Sequence, residues 1–352
     1  MRTIRDVKYK NQTILVRVDF NVPIKDGVIQ EDLRIRASLP TLKHLLKNGA
    51  KKLILISHLG RPEGRPNASL SLRPVAERLQ ELLPDTPVQF ISDNSGPDVE
   101  SAVKKLPAGG ILLLENLRFT SEEEQNSSDF AAEIIESTHA KLFVQDGFAV
   151  VHRAHASTVA LPALLPSVAG LLLEQEVTAL KKALIAPKHP LAVIIGGAKV
   201  TDKQGLIDNF AKKADIIIVG GKIAADGFTS DLPNVYIAED FLKNDAGEPR
   251  DLGQKSVARI KQLLTPAKTI IWNGVLGQVE DPDFAGSSTA IAGLIGSSPV
   301  TSIICGGDTT GFVLNLQKSH PELNFSLVST GGGAALEFLS GLPLPGLEAL
   351  EN

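Results

Sequence analysis

The feature that most constrains the fold is the alternation of short β-branched runs with longer stretches of helical period along the whole chain. Several of these runs are apolar throughout, which is typical of parallel strands covered by helices on both faces. Strands that alternate with helices pair in parallel through right-handed crossovers, so we predict an α/β fold. The predicted strands are Thr13–Val18, Leu53–Ser57, Val88–Ile91, Ile111–Leu114, Leu142–Gln145, Leu191–Ile195, Ile216–Val219, Val235–Ala238, Thr269–Trp272, Thr301–Ile304 and Leu327–Ser329.

The number of predicted strands indicates two sheets. Eleven strands would be unusual in one open sheet, and 352 residues are enough for two domains. We place the boundary in Leu161–Leu173, which contains two prolines, and predict that a helix over Leu173–Leu184 leads into the second domain. Its charged side chains are predicted to face solvent, namely Glu174, Glu176, Lys181 and Lys182.

Composition and charge argue against several classes of protein. The net charge of −4 and the aromatic content of 5% argue against a nucleic-acid partner. A single cysteine, Cys305, excludes an internal disulfide framework and a cysteine-based zinc cluster. The longest apolar runs are too short to cross a bilayer, and the first residues lack the apolar region of a secretory signal. We therefore expect a cytoplasmic protein without a membrane partner.

Arginine is concentrated in the first half of the chain, where it follows predicted strands. Eleven of the thirteen arginines lie within residues 1–170. Ligands of open α/β sheets bind at the carboxyl ends of strands, and arginine suits carboxylate and phosphate oxygens. Each residue alone has a structural alternative, such as a turn former or a capping histidine, but together they predict a site for a small, multiply charged anion. The residues are Arg17, Asp19, Asn21, Arg34, Arg36, His58, Arg61, Glu115, Asn116, Arg118, Asp146, His152, Arg153 and His155.

Three glycine-rich turns follow strands in the second half and precede predicted helices: Gly196–Lys203, Cys305–Thr310 and Ser329–Ala334. Glycine lets backbone approach a ligand closely, and a helix N-terminus offers free N–H groups to phosphate. Lys199 and Lys203 could serve two phosphates of one nucleotide, and Asp308 could take Mg²⁺ with the nucleotide phosphates. Tight turns that need glycine for geometry alone are the alternative. The P-loop and dinucleotide fingerprints are both absent.

Eight motifs in this order resemble the phosphoglycerate kinase family, and they extend over nearly the whole chain. They are VRVDFNVP (16–23), SHLGRP (57–62), LLLENLRF (112–119), HRAHAST (152–158), GGAKVTDK (196–203), WNG (272–274), GGDT (306–309) and STGGGAALEFL (329–339).

The resemblance implies two doubly wound, Rossmann-like parallel-sheet domains joined by a helical hinge. Residues 1–170 would bind phosphoglycerate, residues 171–338 would bind the nucleotide, and residues 339–352 would return toward the first domain. The implied enzyme is a monomeric, hinge-bending kinase of glycolysis. It moves a phosphoryl group reversibly between 1,3-bisphosphoglycerate and ADP, giving 3-phosphoglycerate and ATP with Mg²⁺.

The resemblance also implies roles for individual residues. Catalysis would involve Arg34, Lys199, Gly332 and Gly333, and Asp308 would be associated with the metal. Phosphoglycerate would be bound by Asp19, Asn21, Arg34, His58, Arg61, Arg118 and Arg153. The nucleotide would be bound by Gly197, Ala198, Lys203, Gly221, Gly253, Asn273, Glu280, Gly306, Gly307, Asp308 and Thr309.

Departures from the family pattern are concentrated in the second half. Several tens of family residues are missing between Gly221 and Val235, and Lys222 stands where the family has glycine. Lys222 is either a solvated lysine on a shortened loop or a nucleotide contact. The family's Asn-Gly-Pro is Asn273-Gly274-Val275 here, and its Gly-Val-Phe-Glu is Gly277-Gln278-Val279-Glu280. These changes bear on recognition of the nucleoside more than on phosphate chemistry.

The main hypothesis is therefore an active kinase with an altered nucleoside pocket, and two other functions stay open at this point. A catalytically silent paralogue would bind phosphoglycerate without turnover, because the departures are concentrated in the nucleotide half. A dinucleotide-dependent oxidoreductase rests on the α/β pattern alone, and the missing fingerprint counts against it.

Overall fold

The computed structural model describes residues 1–199, 201 and 203–351, and it divides the chain into two compact units. The first unit comprises Met1–Gln175 together with the chain from Leu344 onward, and the second comprises Glu176–Pro343. Among the residues described, no helix is long and apolar enough to cross a membrane.

The first unit contains a six-stranded parallel sheet with the strand order β5-β6-β4-β1-β7-β8. A short antiparallel hairpin, β2–β3, lies outside this sheet. The strands are β1 (Thr13–Arg17), β2 (Ile24–Lys25), β3 (Val28–Ile29), β4 (Lys52–Ile56), β5 (Val88–Phe90), β6 (Ile111–Leu113), β7 (Leu142–Gln145) and β8 (Ser167–Ala169). The helices of this half are α1 (Leu33–Lys47), α2 (Arg73–Leu82), α3 (Pro97–Lys105), α4 (Ser121–Glu124), α5 (Ser128–Thr138), α6 (Leu161–Leu164) and α7 (Leu171–Ile185), whose last turns belong to the second unit.

Both faces of this sheet are buried, as the uniformly apolar strands predict. Neighbouring residues of β1 point to opposite faces: Ile14 and Val16 belong to one hydrophobic cluster, and Leu15 belongs to the other. On β4, Leu53 and Ile54 divide between the same two clusters. Helices cover each face, so the carboxyl ends of the strands are left to carry polar groups.

The second unit repeats this architecture with the strand order β11-β10-β9-β14-β15-β16, again parallel. Its strands are β9 (Leu191–Ile195), β10 (Ile216–Val219), β11 (Val235–Ile237), β12 (Phe241–Lys243), β13 (Pro249–Leu252), β14 (Thr269–Asn273), β15 (Thr301–Cys305) and β16 (Leu327–Val328). The remaining helices are α8 (Gln204–Phe210), α9 (Gly221–Ala225), α10 (Gln254–Leu264), α11 (Gly286–Gly296), α12 (Gly307–Ser319), α13 (Gly333–Leu339) and α14 (Pro345–Glu348), the last belonging to the first unit. The prediction of an α/β fold with two parallel sheets is confirmed.

Three details differ from the sequence-based expectation. Within Leu161–Leu173, where we expected a boundary, β8 forms the edge strand of the first sheet by pairing with β7. The antiparallel hairpin β12–β13 was not predicted. Glu176 was predicted to face solvent, and this is wrong: its side chain is fully buried within the second unit. A helical period alone does not reveal which polar residue meets partners from distant sequence.

Candidate active site

Charged and polar side chains of the first unit are buried at the carboxyl ends of its strands. Arg17 ends β1 and is 1% exposed, and Asp19 follows it at 3%. His58 follows β4 and Arg118 follows β6, each 5% exposed. The Asp19 carboxylate accepts a hydrogen bond from Nη1 of Arg34, on the first turn of α1. The structure thus brings together residues that are up to about a hundred positions apart in the chain.

Loop contacts hold this cluster. The Asn21 side-chain oxygen accepts from the backbone N–H of Gly60 (2.9 Å), next to the exposed side chain of Arg61. Arg118 donates from Nη1 to the carbonyl of Gly60 (2.9 Å), and its Nε lies 3.1 Å from a Glu124 carboxylate oxygen. These contacts fix the loops that follow β1, β4 and β6 relative to one another.

The electrostatic environment of the cluster disfavours further positive charge. Burial, followed by the positive charges of Arg17, Arg118 and Arg34, holds the pKa of His58 well below its usual 6.5. Burial and the neighbouring Arg153 lower the pKa of His152 to about 4. Both imidazoles are therefore neutral at pH 7. The arrangement suits an anion that brings compensating negative charge.

The two histidines of the HRAH motif do not form a metal site. The backbone N–H of His155 donates to Thr158 Oγ1 (2.9 Å) at the start of a helical turn, and its Nδ1 lies 3.7 Å from a Glu123 oxygen. His152 Nε2 accepts from Arg153 Nε at 3.3 Å. Among the described residues, no group of three or more histidine, cysteine, aspartate or glutamate side chains could hold a metal ion. Of the two alternatives considered for this pair, packing and capping is the one that the contacts support.

In the second unit, glycines permit a close approach between two strand ends. Gly196 donates to the carbonyl of Asn273 (2.9 Å), and Gly197 donates to that of Val275 (2.9 Å). A Cβ on Gly274, where φ is +95°, would overlap the backbone of Gly196. Only glycine adopts this conformation without strain and leaves room for the neighbouring chain.

Three of the predicted nucleotide-site residues, Lys203, Asn273 and Thr309, form hydrogen bonds next to these glycines. Asn273 is fully buried; its side-chain oxygen accepts from Lys203 Nζ, and its amide donates to Cys305 Sγ (3.3 Å). Thr309 Oγ1, also buried, accepts from the backbone N–H of Gly274 (2.8 Å). These side chains position the backbone and Lys203 and do not line the adjacent cavity.

A cavity opens beside the glycines, and five predicted nucleotide-site residues line it: Gly197, Ala198, Gly221, Glu280 and Asp308. The other predicted residues of this unit are not among the residues lining it, namely Lys199, Lys203, Gly253, Asn273, Gly306, Gly307, Thr309, Gly332 and Gly333. Gly253 belongs instead to the turn before α10, where its N–H donates to Asp240 (2.8 Å).

Sequence reasoning missed part of the cavity wall. The hairpin β12–β13 contributes Phe241, Pro249, Arg250 and Asp251 to the wall. Gln278, which the sequence placed among the changes near the nucleoside, also lines the cavity. The turn residues between the two strands were the available signal for a hairpin, but nothing in the sequence placed it at the cavity. The remaining lining residues are Lys222, Ala225, Val275, Leu276 and Gly277.

Lys222 is a solvated lysine that also lies at the cavity, and its contact with a nucleotide stays a prediction. Its side chain is 62% exposed and forms an ion pair with Asp226 one helical turn away (2.5 Å). The same residue lines the cavity. Ion pairs this exposed contribute little to stability, so the lysine is available to a ligand at small cost.

Known proteins resemble this chain over nearly its whole length. The family model of phosphoglycerate kinase matches residues 4–231 and 227–342, two segments that meet where the sequence predicts a deletion, after α9. The phosphoglycerate kinase of Fervidobacterium nodosum is 40% identical over an alignment 399 positions long, gaps included, which covers 99% of this chain and 98% of the relative. That of Coprothermobacter proteolyticus is 39% identical, with the same two coverages.

Solved structures agree with these relatives. The phosphoglycerate kinase of Coxiella burnetii has a TM-score of 0.82 at 32% identity, with 99% of this chain and 98% of that chain covered. The enzyme of Pyrococcus horikoshii OT3 has a TM-score of 0.87 at 28% identity, with 100% and 98% covered. Nothing in these comparisons favours a silent paralogue or an oxidoreductase. The chain belongs to the phosphoglycerate kinase family.

Proposed function

We propose that this chain catalyses the reversible transfer of a phosphoryl group between 1,3-bisphosphoglycerate and ADP, giving 3-phosphoglycerate and ATP. The observation that carries the proposal is the full-length similarity to phosphoglycerate kinases, together with an arginine cluster in one unit and a glycine-lined cavity in the other. The glycolytic reaction also implies the cytoplasm. We propose a monomer, because one chain carries a candidate site for each substrate.

On the phosphoglycerate side, the first unit supplies cations and oriented polar groups. Arg34, Arg61, Arg118 and Arg153 would contact the carboxylate and phosphate oxygens, for which the guanidinium fork is well suited. Asp19 holds Arg34 in place through the hydrogen bond described above. Asn21 and His58 would complete the site as hydrogen-bonding partners of the substrate.

On the nucleotide side, the cavity of the second unit would hold ADP or ATP. Gly197, Ala198 and Gly221 would pack against the nucleotide, and Glu280 would bind the ribose. Lys203, with Gly306 and Gly307 at the start of α12, would face the phosphates, where a helix N-terminus favours negative charge. Thr309 is fully buried and would act by holding the backbone of Gly274. Gly253 and Asn273 would act by shaping the loops around this cavity.

The residues present fit a nucleotide-bound Mg²⁺. Asp308 is an exposed carboxylate on the first turn of α12 and lines the cavity. Magnesium is commonly held by one or two carboxylates plus substrate phosphates, so a cage of protein ligands is not required. When bound, the ion would neutralise charge on the phosphate oxygens.

The chemistry requires alignment and charge neutralisation more than acid–base catalysis. The attacking group is a carboxylate, which is ionised at neutral pH because its pKa is about 4. No general base is therefore needed for the attack. Lys199 and Arg34, with the backbone N–H groups of Gly332 and Gly333, would stabilise charge on the transferring phosphoryl group.

The proposal is tested by coupling formation of 1,3-bisphosphoglycerate from 3-phosphoglycerate and Mg·ATP to oxidation of NADH. We expect Arg34→Ala and Lys199→Ala each to lower kcat by about 10²-fold or more. Matched controls are Lys47→Ala, on the same helix as Arg34, and Lys212→Ala, both exposed. Wild-type protein without turnover on ATP or GTP would refute the function. Near-normal kcat in either variant would refute its assigned role.

A further inference from the structure

Arg17 is a buried cation that the proposed function does not use. It ends β1, and its side chain is 1% exposed, so it does not reach a ligand directly. Burying a guanidinium is costly unless it is hydrogen-bonded and paired with negative charge. Arg17 donates from Nε to Ser157 Oγ (2.9 Å), and from Nη1 to the carbonyl of Val18.

The compensating charge is Glu123, which is also fully buried. Its two oxygens accept from the backbone N–H (2.9 Å) and the hydroxyl (2.6 Å) of Ser157, the same hydroxyl that Arg17 contacts. The Glu123 charge acts on Arg17 in the direction that keeps it protonated. Arg17 is therefore a fixed cation whose remaining N–H groups point in defined directions.

One of those groups determines the state of a substrate-site histidine. Arg17 Nη2 lies 3.1 Å from Nδ1 of His58, within hydrogen-bond distance. A guanidinium has donors only, so Nδ1 must be the acceptor and carries no proton. The proton of the imidazole is then on Nε2, to which no residue described by the structure makes a hydrogen bond. Asp19, the acidic group nearest to Nδ1, lies 3.9 Å away, too far for a hydrogen bond.

We propose that Arg17 is a positioning residue that holds His58 as the neutral Nε2–H tautomer, so that it presents one directed N–H donor to phosphoglycerate. The substrate in this statement rests on the proposed function, but the tautomer does not. The contact also keeps the imidazole from taking a second proton on Nδ1 and competing with Arg34 for the Asp19 carboxylate.

The other charged groups around His58 either lower its pKa as well or are hydrogen-bonded to another residue. Burial is the largest influence on its pKa and lowers it. The groups that surround the ring are Arg17, Arg34, Arg118, His155 and Asp19. Among the described groups that lie within 4 Å of the ring, Asp19 is the one that favours the imidazolium, and it is bound to Arg34.

The test is nuclear magnetic resonance of the full chain with ¹⁵N-labelled histidine, from pH 8 to pH 5 and without substrate. The chain has seven histidines, so His58→Gln identifies the His58 signal. We expect the neutral Nε2–H tautomer across the whole range. Two results with the wild-type protein would each overturn the proposal without any variant. They are titration of His58 between pH 5.5 and 7.5, and a proton on Nδ1 of its neutral ring.

Arg17 variants separate positioning from general packing. In Arg17→Met we expect the neutral His58 ring to populate the Nδ1–H tautomer as well, and 3-phosphoglycerate to bind about tenfold more weakly. Lysine, like arginine, has donors and no acceptor, so Arg17→Lys should keep the Nε2–H tautomer. Should Arg17→Met not fold, Arg17→Met with Glu123→Gln removes both buried charges together.

An arginine variant outside the site serves as the control for Arg17→Met. The matched control is Arg78→Met, an arginine of the same unit paired with Asp32 and outside the site, which should change neither reading. Unaltered His58 signals in a folded Arg17→Met protein would overturn the proposal. Absence of phosphoryl transfer in the wild type would refute the proposed function while leaving the tautomer result intact.

Discussion

Glu176 gives the most direct test of how the second unit is stabilised. Its carboxylate is fully buried and accepts three hydrogen bonds from the strand end that precedes the Gly331–Gly333 turn. The donors are the Ser329 hydroxyl, the Thr330 backbone N–H (2.9 Å) and the Thr330 hydroxyl (2.6 Å). We predict that Glu176→Ala destabilises this unit and loosens the turn.

The magnitude follows from which donors can find other partners. The Thr330 N–H is fixed by the backbone, and leaving it unsatisfied costs about 1–3 kcal/mol. The two hydroxyls can rotate toward other acceptors, so each contributes roughly 1 kcal/mol, partly offset because a buried charge is removed. The expected loss in the free energy of unfolding is about 3 kcal/mol. We expect about half of this for Glu176→Gln, whose oxygen still accepts but whose amide faces a donor.

The assay uses urea unfolding followed by the fluorescence of Trp272, the single tryptophan, which is buried in β14 of this unit. With a urea dependence of about 2 kcal/mol per molar, Glu176→Ala should lower the midpoint by about 1.5 M. The matched control is Glu239→Ala, an exposed glutamate of the same unit, expected to change stability by less than about 0.5 kcal/mol. A Glu176→Ala midpoint equal to that of the control would refute the reasoning.

Two further predictions concern a glycine and a histidine. Gly274→Ala should destabilise the second unit or prevent its folding, because φ is +95° and the added Cβ overlaps the Gly196 backbone. The Trp272 assay measures this, and a wild-type midpoint would contradict the predicted clash. The pKa of His152, about 4 in the folded protein against 6.5 in the reference state, predicts stability that is present above pH 6.5 and lost as pH falls toward 4. In urea unfolding followed by circular dichroism, the stability difference between wild type and His152→Gln should therefore shrink over this range, and a constant difference would exclude the effect.

The fold class was determined by the sequence because its signal is local. Uniformly apolar runs such as Leu191–Ile195 and Ile216–Val219 predict buried parallel strands without knowledge of their neighbours, and both are strands of the second sheet. The carboxyl ends of parallel strands meet at one sheet edge, so the grouping of His58 and Arg118 followed from the same pattern. Gly197 lies at the cavity for a similar reason, because its glycine-rich turn follows β9, whereas the role of Gly221 was implied only by the resemblance to the family.

Only the tertiary structure decided which charged side chains are buried and what they contact. Glu176 looked like part of a solvated helix face, yet its partners lie 153 and 154 residues further along the chain. Arg17 looked like one of many strand-end polar residues, but its contact is His58, 41 residues away, and it is excluded from solvent.

The hairpin β12–β13 shows the same limit at the cavity. Its strands have three and four residues, too short for a period to identify, and its position depends on packing against the rest of the unit. Backbone preference and apolar period are properties of a segment and can be inferred from the sequence. Burial of a charge is decided by the partners that satisfy it, and those partners come together only when the chain folds.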